Sequence, residues 1–274
     1  MCLLGSSRRD TSVMNAKLMG VVNVTPDSFS DGGLFLEPEA AIAHGGQLVR
    51  DGAGMLDVGG ESTRPGAEPV GEAEELARAQ PVVADLAAMG HTVSIDTSKV
   101  AVAEAAIDAG ASIVNDVTAL RDPEMSALCA ERGTIAVLMH MPGDPRTMQH
   151  DPHYEDVVED VKAFLAGRIE AVVAAGVAEE KIWVDPGIGF GKTLEHNLEL
   201  LRRLGELREL GRPLVVGASR KSFIGKIDGS PVEGRIGGTI ASSVLAAAEG
   251  ADVLRVHDVA EAAQALRVTE AVLG

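Results

Sequence analysis

The sequence predicts an α/β chain folded as a single (β/α)8 barrel, and three observations carry that expectation. Eight short apolar runs each stop at a polar residue of a kind that handles substrates. A helical pattern of ordinary length lies between successive runs, and the connections are long on one side of the alternation and terse on the other. β-branched runs without polar alternation fit strands buried on both faces, as in a parallel sheet. When eight such strands lie parallel, their polar ends gather on the rim that carries chemistry in this architecture. A doubly wound sheet is the competing architecture, because alternation alone does not count closure.

The runs 18–22, 55–60, 92–95 and 112–114 end at Asn23, at Glu61 and Thr63, at Asp96, and at Asn115 with Asp116. The runs 135–139 and 182–184 end at His140 and Asp185. The runs 214–217 and 253–254 lead into Ser219, Arg220 and Lys221, and into Arg255 and His257. Helices are expected at 37–51, 71–89, 100–109, Pro123–Arg132, 154–175, 194–210, 235–249 and 260–273. Pro38 is a favoured first-turn residue, and the acidic start of 71–89 complements the helix dipole. Val157, Val158, Val161, Phe164, Leu165, Ile169 and Val172 keep the spacing of one buried helix face, as do Leu194, Leu198, Leu201, Leu204 and Leu207. Gly90, Gly110, Gly133, Gly176, Gly211 and Gly250 close helices as left-handed residues do. The long connections, 24–36, 61–70, 141–153 and 218–234, all follow strands.

A length of 274 residues suits one barrel of about 250 residues. Hydrophobic residues make up 46% and aromatics only 3%, so the core is built from Ala, Val, Leu and Ile. Residues 1–17 are polar and are expected to form a disordered extension to a catalytic domain at 18–274. The chain shows no apolar run of about 18 residues and no charged-then-apolar leader, so neither a membrane span nor a signal peptide is expected. Cys2 and Cys129 are too few for a disulfide framework, and a cytoplasmic location is expected. The net charge of −17 argues against nucleic acid as a partner. It also requires that an anionic substrate be held by local cations or a metal ion.

Six motifs carry chemistry. In Asn23-Val-Thr-Pro-Asp-Ser-Phe-Ser-Asp-Gly-Gly33, the oxygens of Asn23, Asp27 and Asp31 suit Mg²⁺ beside a phosphate, although the composition also fits a plain solvated turn. In 57–66, Asp57 lies inside a strand as a buried carboxylate, while Arg64 is either a surface residue or a clamp for a carboxylate or diphosphate. Asp96, Asn115 and Asp185 end three strands and suit a flat heterocycle with a row of N–H donors and a carbonyl. Helix capping is the alternative for Asp96. In 185–193, Gly191-Lys192-Thr193 suggests a P-loop, but the position five residues before Gly191 is Pro186, so that motif fails. What remains is a flexible loop presenting Phe190. The fifth motif, 217–223, contributes Lys221. The sixth, 255–258, carries Arg255 and His257, which alternate along a strand end before the last helix, an arrangement suited to an anion. His140, His150 and His153 match no zinc spacing.

Taken in order over nearly the whole chain, these stretches, together with Ser94-Ile-Asp-Thr, Val114-Asn-Asp-Val and 139–149, resemble the dihydropteroate synthases. The resemblance implies a TIM barrel, a homodimer and a requirement for Mg²⁺. It implies condensation of 6-hydroxymethyl-7,8-dihydropterin diphosphate with p-aminobenzoate to 7,8-dihydropteroate and diphosphate. By the same resemblance Asp96, Asn115, Asp185 and Lys221 hold the pterin, Asn23 coordinates Mg²⁺, and Arg255 and His257 bind the diphosphate. Thr63, Arg64, Phe190 and Ser222 border the aminobenzoate, and Asp27, Phe29, Ser30 and Asp31 belong to the mobile loop after the first strand. Departure of a neutralised diphosphate would leave a methylene cation spread into the pterin, which Asp96 stabilises before the neutral arylamine attacks, an SN1-like course. Asp96, Lys221, Arg255 and His257 are thus the expected catalytic set. Two alternatives stand beside it. A pterin-dependent methyltransferase domain would lack the 27–33 loop, the Arg220-Lys221 pair and Arg255-Val-His257. A non-catalytic pterin-binding homologue would have lost something at Asn23, Arg64 or His257.

Overall fold

The computed structural model describes residues 15–25, 38–63 and 67–273. Most of the expected N-terminal extension lies outside this range, as do Asp27, Phe29, Ser30, Asp31 and Arg64. Eight strands pair in parallel: β1 (Lys17–Asn23), β2 (Met55–Gly59), β3 (Val93–Asp96), β4 (Ile113–Asp116), β5 (Ile135–Met139), β6 (Ile182–Asp185), β7 (Val215–Val216) and β8 (Val253–Val256). Neighbours follow chain order from β1 to β6, β8 pairs with both β1 and β7, and a parallel bridge from Val184 to Leu214 closes the sheet. The doubly wound alternative is thereby excluded. The first strand begins at Lys17, whose N–H donates to the Asp252 carbonyl at 2.9 Å, so this residue belongs to the barrel.

The helices are α1 (Pro38–Asp51), α2 (Glu72–Ala88), α3 (Val100–Asp108), α4 (Pro123–Arg132), α5 (Val157–Ala174), α6 (Leu194–Arg202), α7 (Ser222–Asp228), α8 (Ile236–Ala248) and α9 (Val259–Leu273). Three differences from the sequence expectation have local causes. α5 starts later than residue 154 because Asp156 is the cap, its carboxylate accepting from the N–H groups of Val158 and Glu159 at 2.9 and 3.2 Å. The expected helix 194–210 divides into α6 and a 3-10 stretch, Leu204–Leu210. From Leu201 onward the leucines recur every third residue, the period of a 3-10 helix, and Leu201, Leu204 and Leu207 are all buried. Finally, the connection 218–234 contains α7, which seven residues interrupted by Gly225 did not announce.

Apolar residues inside the barrel collect at one end. Met19, Met55, Ile113, Val137, Val215 and Val253 form a separate buried cluster there, with Ile135 and Trp183 against it. Two residues further along β2, β4 and β8 the chain places Asp57, Asn115 and Arg255. Asp57 and Ser94 are fully buried, and Asn23, Gly59, Asp96 and Asn115 lie side by side across four strands. The pleat therefore sets a polar layer on an apolar plug at the carboxyl ends of the strands, where this fold builds its sites.

Candidate active site

Asn23, Thr63, Asp96, Phe190, Lys221, Ser222, Arg255 and His257 line one cavity of about 320 Å³ at the carboxyl rim. They come from the ends of β1, β3 and β8 and from the connections after β2, β6 and β7. Asn115 and Asp185 are buried at the ends of β4 and β6 and do not line its wall. They are tied to it from within. Asn115 donates to Asp57 at 3.1 Å, Asp57 accepts from Arg255 Nε at 2.6 Å, and Arg255 Nη2 donates to Asp96 at 2.8 Å. Asp185 accepts from the Gly187 N–H at 2.7 Å and feels the charges of Lys221 and Arg255.

The helix-capping alternative for Asp96 fails. The cap of α3 is Lys99, with no side-chain cap bond, and Asp96 points to Arg255 instead. Burial pushes the Asp96 carboxyl up to about 7, with Asp57 adding to the rise and Arg255 opposing it. Two carboxylates thus share one guanidinium, and one oxygen of each, Oδ1, has no hydrogen-bond partner among the described residues. Unpartnered acceptors in a buried layer suit a ligand that brings N–H donors. Burial also lifts Asp185 to about 6, against the Gly187 N–H and the Lys221 ammonium.

The cationic side of the cavity is richer than the sequence suggested. Lys221 Nζ stands 3.9 Å over the centre of the Phe190 ring. Arg220, in a left-handed conformation at φ +55°, pairs with Asp258 at 2.5 Å, and Arg235 lines the same wall. His257 Nδ1 lies 3.0 Å from Ser219 Oγ, which also accepts from the His257 N–H. No motif flagged Arg235, which stands at the start of a helix far from any strand end. Its only sequence signal was the local positive charge that a net charge of −17 demands of an anion site. Glu61 lines the wall but is occupied, pairing with Lys99 and accepting from the Val70 N–H at 2.9 Å.

The connection after β6 is not the flexible loop expected from its glycines. Gln149 donates to the Gly189 carbonyl at 2.9 Å, Tyr154 donates to the Gly191 carbonyl at 2.8 Å, and Asn197 accepts from the Gly189 N–H at 2.6 Å. Gly187 has φ +66°, and a Cβ there would collide with the His140 carbonyl oxygen, so the turn admits no side chain at that point. His140 itself is buried, edge-on to Phe164 at 4.9 Å, and lies outside the cavity wall.

A family model described as pterin binding enzyme matches residues 19–257. The sequence is 46% identical to the dihydropteroate synthase of Escherichia coli K12 over 93% of this chain and 91% of that protein. It is 47% identical to that of Mycobacterium leprae over 95% and 94% of the two chains. Among solved structures, Yersinia pestis dihydropteroate synthase with a sulfonamide drug complex superposes with a TM-score of 0.92 at 45% identity, covering 96% of this chain and 95% of that one. The enzyme from Xanthomonas albilineans in complex with 7,8-dihydropteroate gives 0.84 at 45% identity, covering 95% and 94%.

Proposed function

This chain belongs to the pterin binding enzymes, as a dihydropteroate synthase, and on that premise we propose how the residues of its rim divide the work. The enzyme is a transferase of folate biosynthesis that condenses 6-hydroxymethyl-7,8-dihydropterin diphosphate with p-aminobenzoate. What supports the division of labour is a single cavity bordered by Asp96, Lys221, Arg255 and His257, with Phe190 beside Lys221 and Ser222 next in the chain.

The aminopyrimidinone edge of the pterin offers N–H donors. Asp185 and Asn115 accept from it, and Lys221 donates to a pterin acceptor while its ammonium rests on the Phe190 ring. The carbon–oxygen bond to the diphosphate breaks first, leaving a methylene cation conjugated with the electron-rich pterin. The Asp96 carboxylate stabilises that cation across a dry site. Arg255 and His257 hold the departing diphosphate, and Arg220 and Arg235 add positive charge nearby. The p-aminobenzoate, bordered by Thr63, Phe190 and Ser222, then attacks through its neutral amine, which loses a proton after the carbon–nitrogen bond forms.

Among the described residues no group of three His, Cys, Asp or Glu side chains forms a metal centre. The amide oxygen of Asn23 at the cavity wall instead fits an ion held mainly by water and diphosphate oxygens, the habit of Mg²⁺. When bound, the ion neutralises charge on the leaving diphosphate. The reading extends to a homodimer in the cytoplasm. Ile236 and Leu245 of α8 and Val268 and Val272 of α9 are exposed apolar residues, and light scattering on purified protein would give twice the chain mass. No helix among the described residues is long and apolar enough to cross a membrane.

The test is release of diphosphate by purified protein given the pterin diphosphate, p-aminobenzoate and Mg²⁺. Release should require the pterin diphosphate and Mg²⁺, and formation of 7,8-dihydropteroate should require all three. Lys221→Ala should slow it at least about a hundredfold, the scale of one lost charged contact to a reacting group. Unchanged turnover in that variant would overturn the pterin assignment.

A further inference from the structure

Lys192 has the largest fully buried side chain in the described structure, 1% exposed, and it belongs to the glycine–lysine–threonine motif that the reaction leaves unused. A buried ammonium normally faces a carboxylate. Among the described residues this one has no ion pair and is met by neutral acceptors. Its Nζ lies 2.9 Å from His140 Nδ1 and donates to the carbonyl oxygens of Gly187 at 3.0 Å and Phe190 at 2.9 Å, with the His140 carbonyl at 3.4 Å. Burial, with the adjacent ammonium adding, drives the His140 imidazole down to about 2, so the ring is neutral and Nδ1 can accept. The bond partners come from two elements, the end of β5 and the turn after β6.

Residues 187–190 form that turn, closed by the Phe190 N–H on the Gly187 carbonyl at 3.0 Å. The two carbonyls that Lys192 holds are the two ends of this turn. Its tip, Gly189, packs on the stem of Lys221, where an added Cβ would lie 3.0 Å from Lys221 Cδ. Its last residue, Phe190, carries the ring beneath the Lys221 ammonium. The sheet therefore fixes His140, His140 fixes Lys192, and Lys192 fixes the turn that carries Phe190.

We propose that Lys192 is a positioning residue: through its bonds to His140, Gly187 and Phe190 it sets the Phe190 ring against Lys221 and so shapes the aminobenzoate side of the cavity. This rests on the assignment of that side to p-aminobenzoate. A lysine suits the task because it offers three donors to converging acceptors on a long apolar stem.

The test uses Lys192→Met, which keeps the stem and removes the donors, Lys192→Gln, which keeps donors, Phe190→Ala, and the double variant Lys192→Met/Phe190→Ala. Lys192→Met should raise KM for p-aminobenzoate about tenfold, the effect of a misplaced positioning group, while KM for the pterin diphosphate stays within about twofold. Lys192→Gln should recover part of that loss. Once Phe190 is gone, Lys192→Met should add little, because the two act through one path. Additive effects, equal rises in both KM values, or loss of folded protein in both Lys192 variants would overturn the proposal. If wild type binds p-aminobenzoate elsewhere, the assignment of that side fails first, and calorimetric titration of the Phe190→Ala variant separates the two failures.

Discussion

Replacing Arg255 by methionine is expected to abolish turnover and to weaken the fold in the same step. In the native structure its guanidinium is held by Asp57 at 2.6 Å and Asp96 at 2.8 Å, and Asp57 is fully buried. Removing one partner of a buried ion pair costs about 3–5 kcal/mol, because it strands the remaining charge. The variant should lose stability of that order in urea denaturation at pH 8. The loss should shrink at pH 5. Asp96 already titrates near 7 because burial raises it, and it will accept a proton once the cation is gone. Turnover should fall at least about a thousandfold, about 4 kcal/mol of transition-state stabilisation. Adding Asp57→Asn to the variant should return part of the stability and none of the turnover. Equal stability of wild type and Arg255→Met at pH 8 would show that the shared guanidinium does not hold this layer together.

The opposite pairing of effects is expected at Asp185, where the variant Asp185→Asn should be more stable and inactive. Burial lifts its carboxyl from 3.8 to about 6 in the folded protein. A raised carboxyl favours the folded state below the unfolded pKa, and that advantage disappears as pH rises through the folded value. At pH 8 the ionised group therefore costs on the order of 3 kcal/mol, and at pH 5 about half of that. Asparagine removes the charge and keeps an oxygen for the Gly187 N–H. Thermal melts should show Asp185→Asn ahead of wild type at pH 8, with the gap narrowing toward pH 5. Its amide would meet the pterin donors with donors of its own, so pterin binding should drop at least about a hundredfold. A variant that was less stable than wild type at pH 8 would remove the claim that this carboxylate is kept at the expense of stability.

What the sequence showed clearly was periodicity and strand ends. Short, fully apolar, β-branched runs such as 135–139 fit strands buried on both faces, and a polar residue at the end of each run falls on one rim by the geometry of parallel pairing. Asp96, Lys221, Arg255 and His257 were legible for that reason, and all four border one cavity. The links among them were not. Asp57 and Arg255 are 198 residues apart in sequence and meet only because β1 lies between β2 and β8. Arg235 reaches the cavity from beyond a short helix whose seven residues leave too little periodicity to read. Lys192 looked like part of a failed phosphate motif, since nothing in the local sequence shows that His140, 52 residues earlier, waits at the end of the neighbouring strand.

On the proposed assignment, Asp96, Asn115, Asp185, Lys221 and Arg255 surround one ligand in one mouth of the barrel. A crystal structure of the complex with the pterin diphosphate and p-aminobenzoate tests it most directly. The pterin ring should lie within hydrogen-bond distance of Asp185, Asn115 and Lys221, with its diphosphate at Arg255 and His257 and the aminobenzoate beside Phe190. A pterin seated elsewhere, leaving Asp185 and Lys221 without contact to it, would contradict the account.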